Sequence, residues 1–253
     1  ALTTDFATDV IAQVEWLSTR QDIDSSAIGL IGHSEGGVVA PIAAVSDRRI
    51  AFIVLLAGTG VDGGEILSSQ TRRILELEGY SQETLLPMMV AHRALMTLVR
   101  NDASKAEIKV GYRTLLEVQL NGSFLEGVID ENQLAENLDS LNDGYPGFLT
   151  PWMEAFIKLD PVDYLSRVEC PVLALNGSHD VQVLLELNLP AIERSILDAG
   201  GRVTTIAYPE LNHLFQRSDT GAISEYVEID TTLEPVVLED ITRWIQGFVS
   251  EKE

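Results

Sequence analysis

The stretch IGLIGHSEGGVVAP, residues 28–41, constrains the fold more than any other part of the chain. An apolar run too short for a helix meets glycine-flanked Ser34, and an Ala- and Val-rich run follows at once. Residues 27–31 read as a buried parallel strand and residues 38–45 as a packed helix, so the backbone has to reverse sharply between them. Gly32-His33-Ser34-Glu35-Gly36 carries the GxSxG spacing, and a strand before it and a helix after it are the context in which that spacing makes a nucleophile elbow. A side chain two positions before or two positions after the serine is expected to collide with the crossing chain, while Ser34 itself is held in a strained conformation. The helix start offers free N–H groups and a positive dipole end to an oxyanion developing beside the hydroxyl. The competing reading is an ordinary glycine-rich strand-to-helix turn, such as a phosphate site.

The rest of the chain repeats the strand and helix alternation. Residues 50–57 (IAFIVLLA) form a second strand candidate, and PVLALNGSHD and VTTIAYPELNH each read as a strand running into a loop. Helices are expected over TTDFATDVIAQVEWLSTR, over LPAIERSILDAGG, and over residues 235–249. In the first of these, Phe6, Val10, Val14 and Leu17 form the apolar spacing, with Thr4 or Asp5 available as cap. Short apolar strands separated by helices predict an α/β fold, a mostly parallel sheet with helices on both faces. From about residue 65 to 141 the texture changes to Leu, Glu, Gln and Arg at helical spacing, which predicts a helical insertion. The expected organisation is therefore a first core part at 1–62, a helical cap insertion at 63–165, and a second core part at 166–253. A length of 253 residues suits one α/β core with such an insertion.

Composition narrows the function classes. With 17 Lys and Arg against 39 Asp and Glu, the formal net charge is -22, which opposes binding to nucleic-acid phosphates or anionic lipid. The single cysteine, Cys170, allows no intrachain disulfide and no cysteine-rich metal site, and it reads as a small core residue. No HExxH or GxxxxGK[ST] pattern occurs, and GTGVDGG lacks the lysine of a phosphate loop, so no metal and no cofactor is expected. No window approaches 18 uninterrupted apolar residues, so no membrane span is expected, and no charged leader opens the chain. The sequence enters a helix pattern directly after Ala1, as a chain lacking its natural N-terminus would, and the compartment stays open between cytoplasmic and secreted.

A serine hydroxyl attacks only once a base takes its proton, and that base needs an acid to orient it. Four histidines are present. His33 lies within the elbow and cannot fold back onto Ser34, so it is expected to line the pocket floor or pack beneath it. His92 lies among apolar residues of the insertion, and His179 shares a loop with Asp180. His213, in YPELNHLF past the last strand candidate, occupies the place where loops carry function in this architecture. Asp180 follows the strand at 172–175 by a short loop, whereas Asp160 and Asp163 precede that strand. The chain order is then Ser34, Asp180, His213, with room for one helix and one strand between the last two.

These residues resemble the α/β-hydrolase fold family, and within it the bacterial serine esterases with a helical cap. The resemblance rests on TTDFATDVIAQVEWL, IGLIGHSEGGVVAPIAA, CPVLALNGSHDVQV and LNHLFQRSDTGAISEYVEI. It implies hydrolysis of carboxylic esters of small to medium acyl chains through an acyl-enzyme. In that scheme Ser34 is the nucleophile, His213 the general base and acid, Asp180 the orienting carboxylate and the Glu35 backbone N–H an oxyanion donor. Phe148, Trp152, Met153 and Phe156 join His33 as candidate substrate contacts, although the core of the insertion accounts for the four hydrophobic ones equally well. Such enzymes open with several strands ahead of the helix that begins this sequence, so the resemblance implies that those strands, and the loop giving the second oxyanion donor, are missing here. The strand ending at Ser34 is then expected to present an exposed apolar edge through which the chain self-associates. The same three residues also suit acyl transfer, peptide cleavage or thioester cleavage, and a hydrolase-like scaffold that binds a small molecule without turnover is the reading from another class.

Overall fold

The computed structural model describes residues 1–122 and 149–250. The chain divides into two units, Ala1–Val61 with Asp160–Glu253, and Asp62–Leu159.

The first unit is built on four parallel strands, β1 (Gly29–His33), β2 (Phe52–Leu56), β3 (Val172–Gly177) and β4 (Val203–Tyr208), which lie side by side in chain order. Every residue of β3 is buried, as are four of the five in β2, which is why these runs carry no polar alternation. Phe52, Val54, Leu173 and Leu175 share one face of the sheet with Val237 and Ile241 of the C-terminal helix, Pro235–Ser250. The opposite face carries Ile53, Leu55, Val172 and Ala174, all fully buried. The helix Gly36–Ser46 packs on β1 and β2, and the helix Leu185–Leu197 packs on β3 and β4. The expected α/β class, a parallel sheet covered on both faces, is the one observed.

Two local expectations need correction. The first strand begins at Gly29 rather than residue 27, because Ser25–Ala27 is a 3-10 turn closed by the Asp24 carboxylate accepting from the Ser26 N–H at 2.9 Å. The opening helix, α1 (Thr3–Ser18), is entered from Leu2, not Thr4 or Asp5, and Asp5 serves its start by accepting from the Leu2 N–H at 2.7 Å. Its buried residues are Thr3, Ala7 and Val14, while Phe6 is exposed. The small residues sit beneath α1 because it packs against the helix Gly36–Ser46, itself Ala- and Val-rich, and close helix approach favours small side chains. Cys170 is half-buried, and burial pushes its thiol up to about 11.

Among the described residues the helices are, in chain order, α1, α2 (Gly36–Ser46), α3 (Gly63–Leu77), α4 (Gln82–Arg100), α5 (Lys105–Asn121), α6 (Pro151–Lys158), α7 (Val162–Leu165), α8 (Leu185–Leu197) and α9 (Pro235–Ser250). The second unit contains α3 to α6. Each of these four starts at a short polar residue, Asp62, Ser81, Ser104 or Thr150, whose side chain accepts from an N–H in the first turn. Their apolar faces meet in a core around Met88, Leu95, Met96, Val99, Ile108 and Leu115.

His92 of α4 lies against this core. Ser68 Oγ donates to the Gly64 carbonyl at 2.8 Å, so His92 Nδ1, 3.1 Å away, carries the proton that Ser68 Oγ accepts. Burial, with the nearby Arg93 charge second, lowers the His92 pKa from 6.5 to about 4. Above pH 6.5 the ring is neutral whether the unit is folded or not. Between 6.5 and about 4 only the unfolded chain takes up the proton, so stability is lost across that window, by up to about 3 kcal/mol. The urea midpoint is therefore expected to fall between pH 7 and pH 4.5 by more in the parent chain than in His92→Gln. Equal losses in the two proteins would remove His92 from the account.

Candidate active site

The backbone at Ser34 adopts φ 54°, a left-handed conformation that a serine takes only when its surroundings impose it. The surroundings here are specific. The Ser34 N–H donates to the Leu56 carbonyl at the end of β2, at 2.9 Å, and the Ser34 carbonyl accepts from Gly37 at 2.8 Å. A Cβ on Gly32 would stand 2.0 Å from the Gly36 carbonyl oxygen, and one on Gly37 would stand 2.5 Å from Gly58 Cα. A Cβ on Gly36 would meet nothing within 4 Å. The expectation that both motif glycines avoid a collision is thus right for Gly32 and wrong for Gly36; the second crowded position is Gly37, where α2 passes the loop after β2. Gly32→Ala is expected to destabilise the chain by about 3 kcal/mol, and Gly36→Ala to change it by no more than about 1 kcal/mol in the stabilising direction. Urea unfolding of the two variants checks this, and equal losses would contradict the description of the turn.

Glu35 is the N-cap of α2, so its amide belongs to the end of the helix where N–H groups outnumber the carbonyls available to them. The Glu35 carboxylate accepts from the hydroxyl of buried Thr3 at 2.6 Å, which ties the start of α1 to the elbow.

Asp180 lies in the loop after β3 and is 2% exposed. Its Oδ1 accepts from the N–H groups of Gln182 and Val183, both at 2.8 Å, and its Oδ2 faces His213 Nδ1 at 2.9 Å. A carboxylate held this way keeps the His213 proton on Nδ1 and leaves Nε2 as the acceptor. His213 is 4% exposed, in the loop after β4. Fully buried Asn212 organises that loop: its Oδ1 accepts from Leu214 and Gln216, at 2.9 and 3.0 Å, and its Nδ2 donates to Gln216 Oε1. Phe215, also buried, takes φ 58°, a conformation a bulky residue rarely adopts.

His33, the residue before Ser34, uses Nε2 to donate to the His213 carbonyl at 2.9 Å, and the two imidazole rings lie 4.6 Å apart. Ser34, Asp180 and His213 therefore all stand in loops at the carboxyl ends of parallel strands, and His33 links the first of these loops to the last. Ser34 Oγ makes no hydrogen bond among the described residues, an arrangement common where no substrate is bound. His179, beside Asp180, instead binds the Ser218 carbonyl at 2.8 Å.

The hydrophobic candidates lie in the second unit. Trp152 and Phe156, one turn apart on α6, stack at 5.6 Å, and Met153 packs against the core of that unit. Phe148 lies outside the described residues. Reading the sequence missed Asn212, Gln182 and Tyr226. None belongs to a motif, and only nearness to His213 or Asp180 in the chain could have drawn attention to the first two. Among the described residues no group of three or more His, Cys, Asp or Glu side chains is placed to hold a metal ion, and no helix is long and apolar enough to cross a membrane.

A parallel sheet in chain order, a left-handed serine between the first strand and its helix, and acid and histidine loops after the third and fourth strands complete the pattern. The fold is of the α/β-hydrolase type. Among the described residues β1 is an edge strand that pairs with β2 alone. No family model matches the chain, and no curated protein matches it. Among solved structures it is similar to dipeptidyl peptidase 4 of Porphyromonas gingivalis, at 12% identity and a TM-score of 0.46, over 96% of this chain and 22% of that one. It is also similar to the acetyl xylan esterase of Paenibacillus sp. R4, at 15% and 0.45 over 96% and 52%, and to the acylaminoacyl peptidase of Pyrococcus horikoshii, at 15% and 0.42 over 82% and 23%. The chain thus spans between about a fifth and a half of the length of these proteins.

Proposed function

We propose that the chain is the catalytic part of a serine hydrolase that cleaves carboxylic esters of small to medium acyl chains. The observation that carries this reading is the buried Asp180 carboxylate 2.9 Å from His213 Nδ1, in the same unit as a serine held at φ 54°. With its Nδ1 proton held by Asp180, neutral His213 has the Nε2 lone pair available. As Ser34 Oγ attacks the ester carbonyl carbon, its proton passes to His213 Nε2 and the carbonyl π electrons move onto oxygen. The Glu35 N–H at the start of α2 is the proposed donor to that oxyanion. Collapse of the intermediate expels the alcohol with the proton from His213, leaving an acyl ester on Ser34. Water then attacks the acyl carbon, His213 takes the water's proton and returns it to Ser34, and the carboxylic acid leaves. No step needs a metal or cofactor.

A series of p-nitrophenyl esters from acetate to dodecanoate, run beside a thioester and an aminoacyl p-nitroanilide, tests this reading. Faster turnover of acetate and butyrate is expected. Preference for the anilide or the thioester would replace esterase by peptidase or thioesterase.

The free edge of β1, where Ile31 is 57% exposed, is the proposed surface for self-association. Sedimentation velocity is expected to show a concentration-dependent dimer that Ile31→Lys weakens, and a monomer at all concentrations would contradict it.

A further inference from the structure

We propose that His33 and Tyr226 are positioning residues for His213, His33 by holding its carbonyl and Tyr226 by bracing the Asp180 loop through Gln182, so that its ring keeps one orientation toward Ser34. This rests on the role given to His213 above. β1 and β4 are the outer strands of the four, about 14 Å apart at the usual strand spacing. The sheet alone therefore does not bring the loop after β4 to the serine after β1. The loop has to reach across, and where it docks on the end of β1 a hydrogen bond runs from His33 Nε2 to the His213 carbonyl, 2.9 Å long. His33 precedes Ser34 in the chain, so this contact fixes the base relative to the nucleophile through a single residue of backbone.

The Asp180 side of the ring is braced as well. The phenol oxygen of Tyr226, in the 3-10 segment Ile223–Glu228, accepts from Gln182 Nε2 at 3.2 Å. The Gln182 backbone N–H in turn donates to Asp180 Oδ1 at 2.8 Å. His213 is thus bound at its carbonyl by His33 and at Nδ1 by Asp180, and Tyr226 braces the Asp180 loop through Gln182. His33 and Tyr226 are positioning residues because His33 acts on the main chain of His213 and Tyr226 on the loop of Asp180, while the His213 ring does the chemistry. A small displacement of a general base is costly, on the order of 100-fold for about 1 Å.

The test compares His33→Phe, which keeps ring volume and loses the donor, His33→Gln, which keeps an amide donor, and Tyr226→Phe, which loses only the phenol oxygen. With p-nitrophenyl butyrate, kcat is expected to fall about 10- to 100-fold in His33→Phe and about 3- to 10-fold in Tyr226→Phe, with KM within about two-fold of the parent. His33→Gln is expected to recover most of the loss. Proton NMR supplies a readout independent of turnover: the far-downfield His213 Nδ1 proton, shared with Asp180, should broaden or disappear in His33→Phe and Tyr226→Phe and persist in His33→Gln. A thermal midpoint within a few degrees of the parent shows that folding is intact, and if His33→Phe fails to fold, Tyr226→Phe and His33→Gln carry the comparison. Unchanged kcat and an unchanged downfield proton in the folded variants would overturn the proposal, as would a rise in KM alone, which would return His33 to substrate contact. If the parent chain shows no turnover at all, the hydrolase reading fails by itself, and the NMR signal still decides whether His33 and Tyr226 hold His213.

Discussion

Replacing Ser34 by alanine is expected to lower kcat for p-nitrophenyl acetate and butyrate by at least about 10,000-fold, with the fold intact. The loss follows from removing the only protein atom in the proposed scheme that bonds to the acyl carbon; His213 and the helix start would remain, but without that nucleophile they act only on water. Stability should hardly change, because Ser34 Oγ makes no hydrogen bond among the described residues and alanine inherits the same backbone strain. Ser34→Gly separates the two effects: it is expected to be equally inactive yet more stable by about 1 kcal/mol, since glycine takes φ 54° without penalty. Urea unfolding and steady-state rates on the three proteins check this. Alanine and parent hydrolysing at equal rates would place the chemistry on another residue.

Asp180→Asn carries the second large effect, a fall in kcat of about 10,000-fold with little loss of stability. The amide oxygen can still accept from Gln182 and Val183, so the loop after β3 keeps its shape. The amide nitrogen, however, presents a proton to His213 Nδ1, which forces the imidazole proton onto Nε2 and leaves nothing to receive the proton of Ser34. Asp180→Ala is expected to be inactive and also destabilised by about 2 kcal/mol, because the half-buried Gln182 N–H and the buried Val183 N–H lose their acceptor. Rates and unfolding midpoints for both variants check the pair. An Asp180→Asn enzyme retaining more than about a tenth of parent kcat would mean that Asp180 shapes the loop without orienting the histidine.

Much of the fold is legible in the sequence. The four strands lie within a residue or two of their expected places; β2 and the start of β3 are short apolar runs, and a buried parallel strand tolerates little else, whereas β1 and the partly exposed VTTIAY of β4 are marked by the turn residues around them. The helix after Ser34 and the last helix likewise follow from composition and spacing. What failed was detail that depends on the partner surface. The buried side of α1 is Thr3, Ala7 and Val14 rather than the larger Phe6, since the neighbouring helix leaves room only for small side chains. Gly36 belongs to the motif by spacing, yet the crowded glycine is Gly37, a distinction set by where the loop after β2 passes.

For the candidate site, chain order and strand ends point to Ser34, Asp180 and His213, and the structure brings Asp180 and His213 together at 2.9 Å. The supporting residues were not legible. Asn212, Gln182 and Tyr226 act through hydrogen bonds within and between loops, an interaction with no periodicity, and an asparagine or tyrosine outside a motif resembles many others in the sequence. His33 was expected at the pocket floor, and its bond to the His213 carbonyl could not be foreseen, because the contact joins residues 180 positions apart.

Labelling with a fluorophosphonate, followed by peptide mapping, tests the central claim most directly, because the reagent needs only an activated serine and no particular substrate. The account predicts one phosphonyl group per folded chain, on Ser34, absent in Ser34→Ala and much slower in His213→Ala. A folded chain that takes no label, or takes it elsewhere, would contradict the claim that Ser34 is a nucleophile.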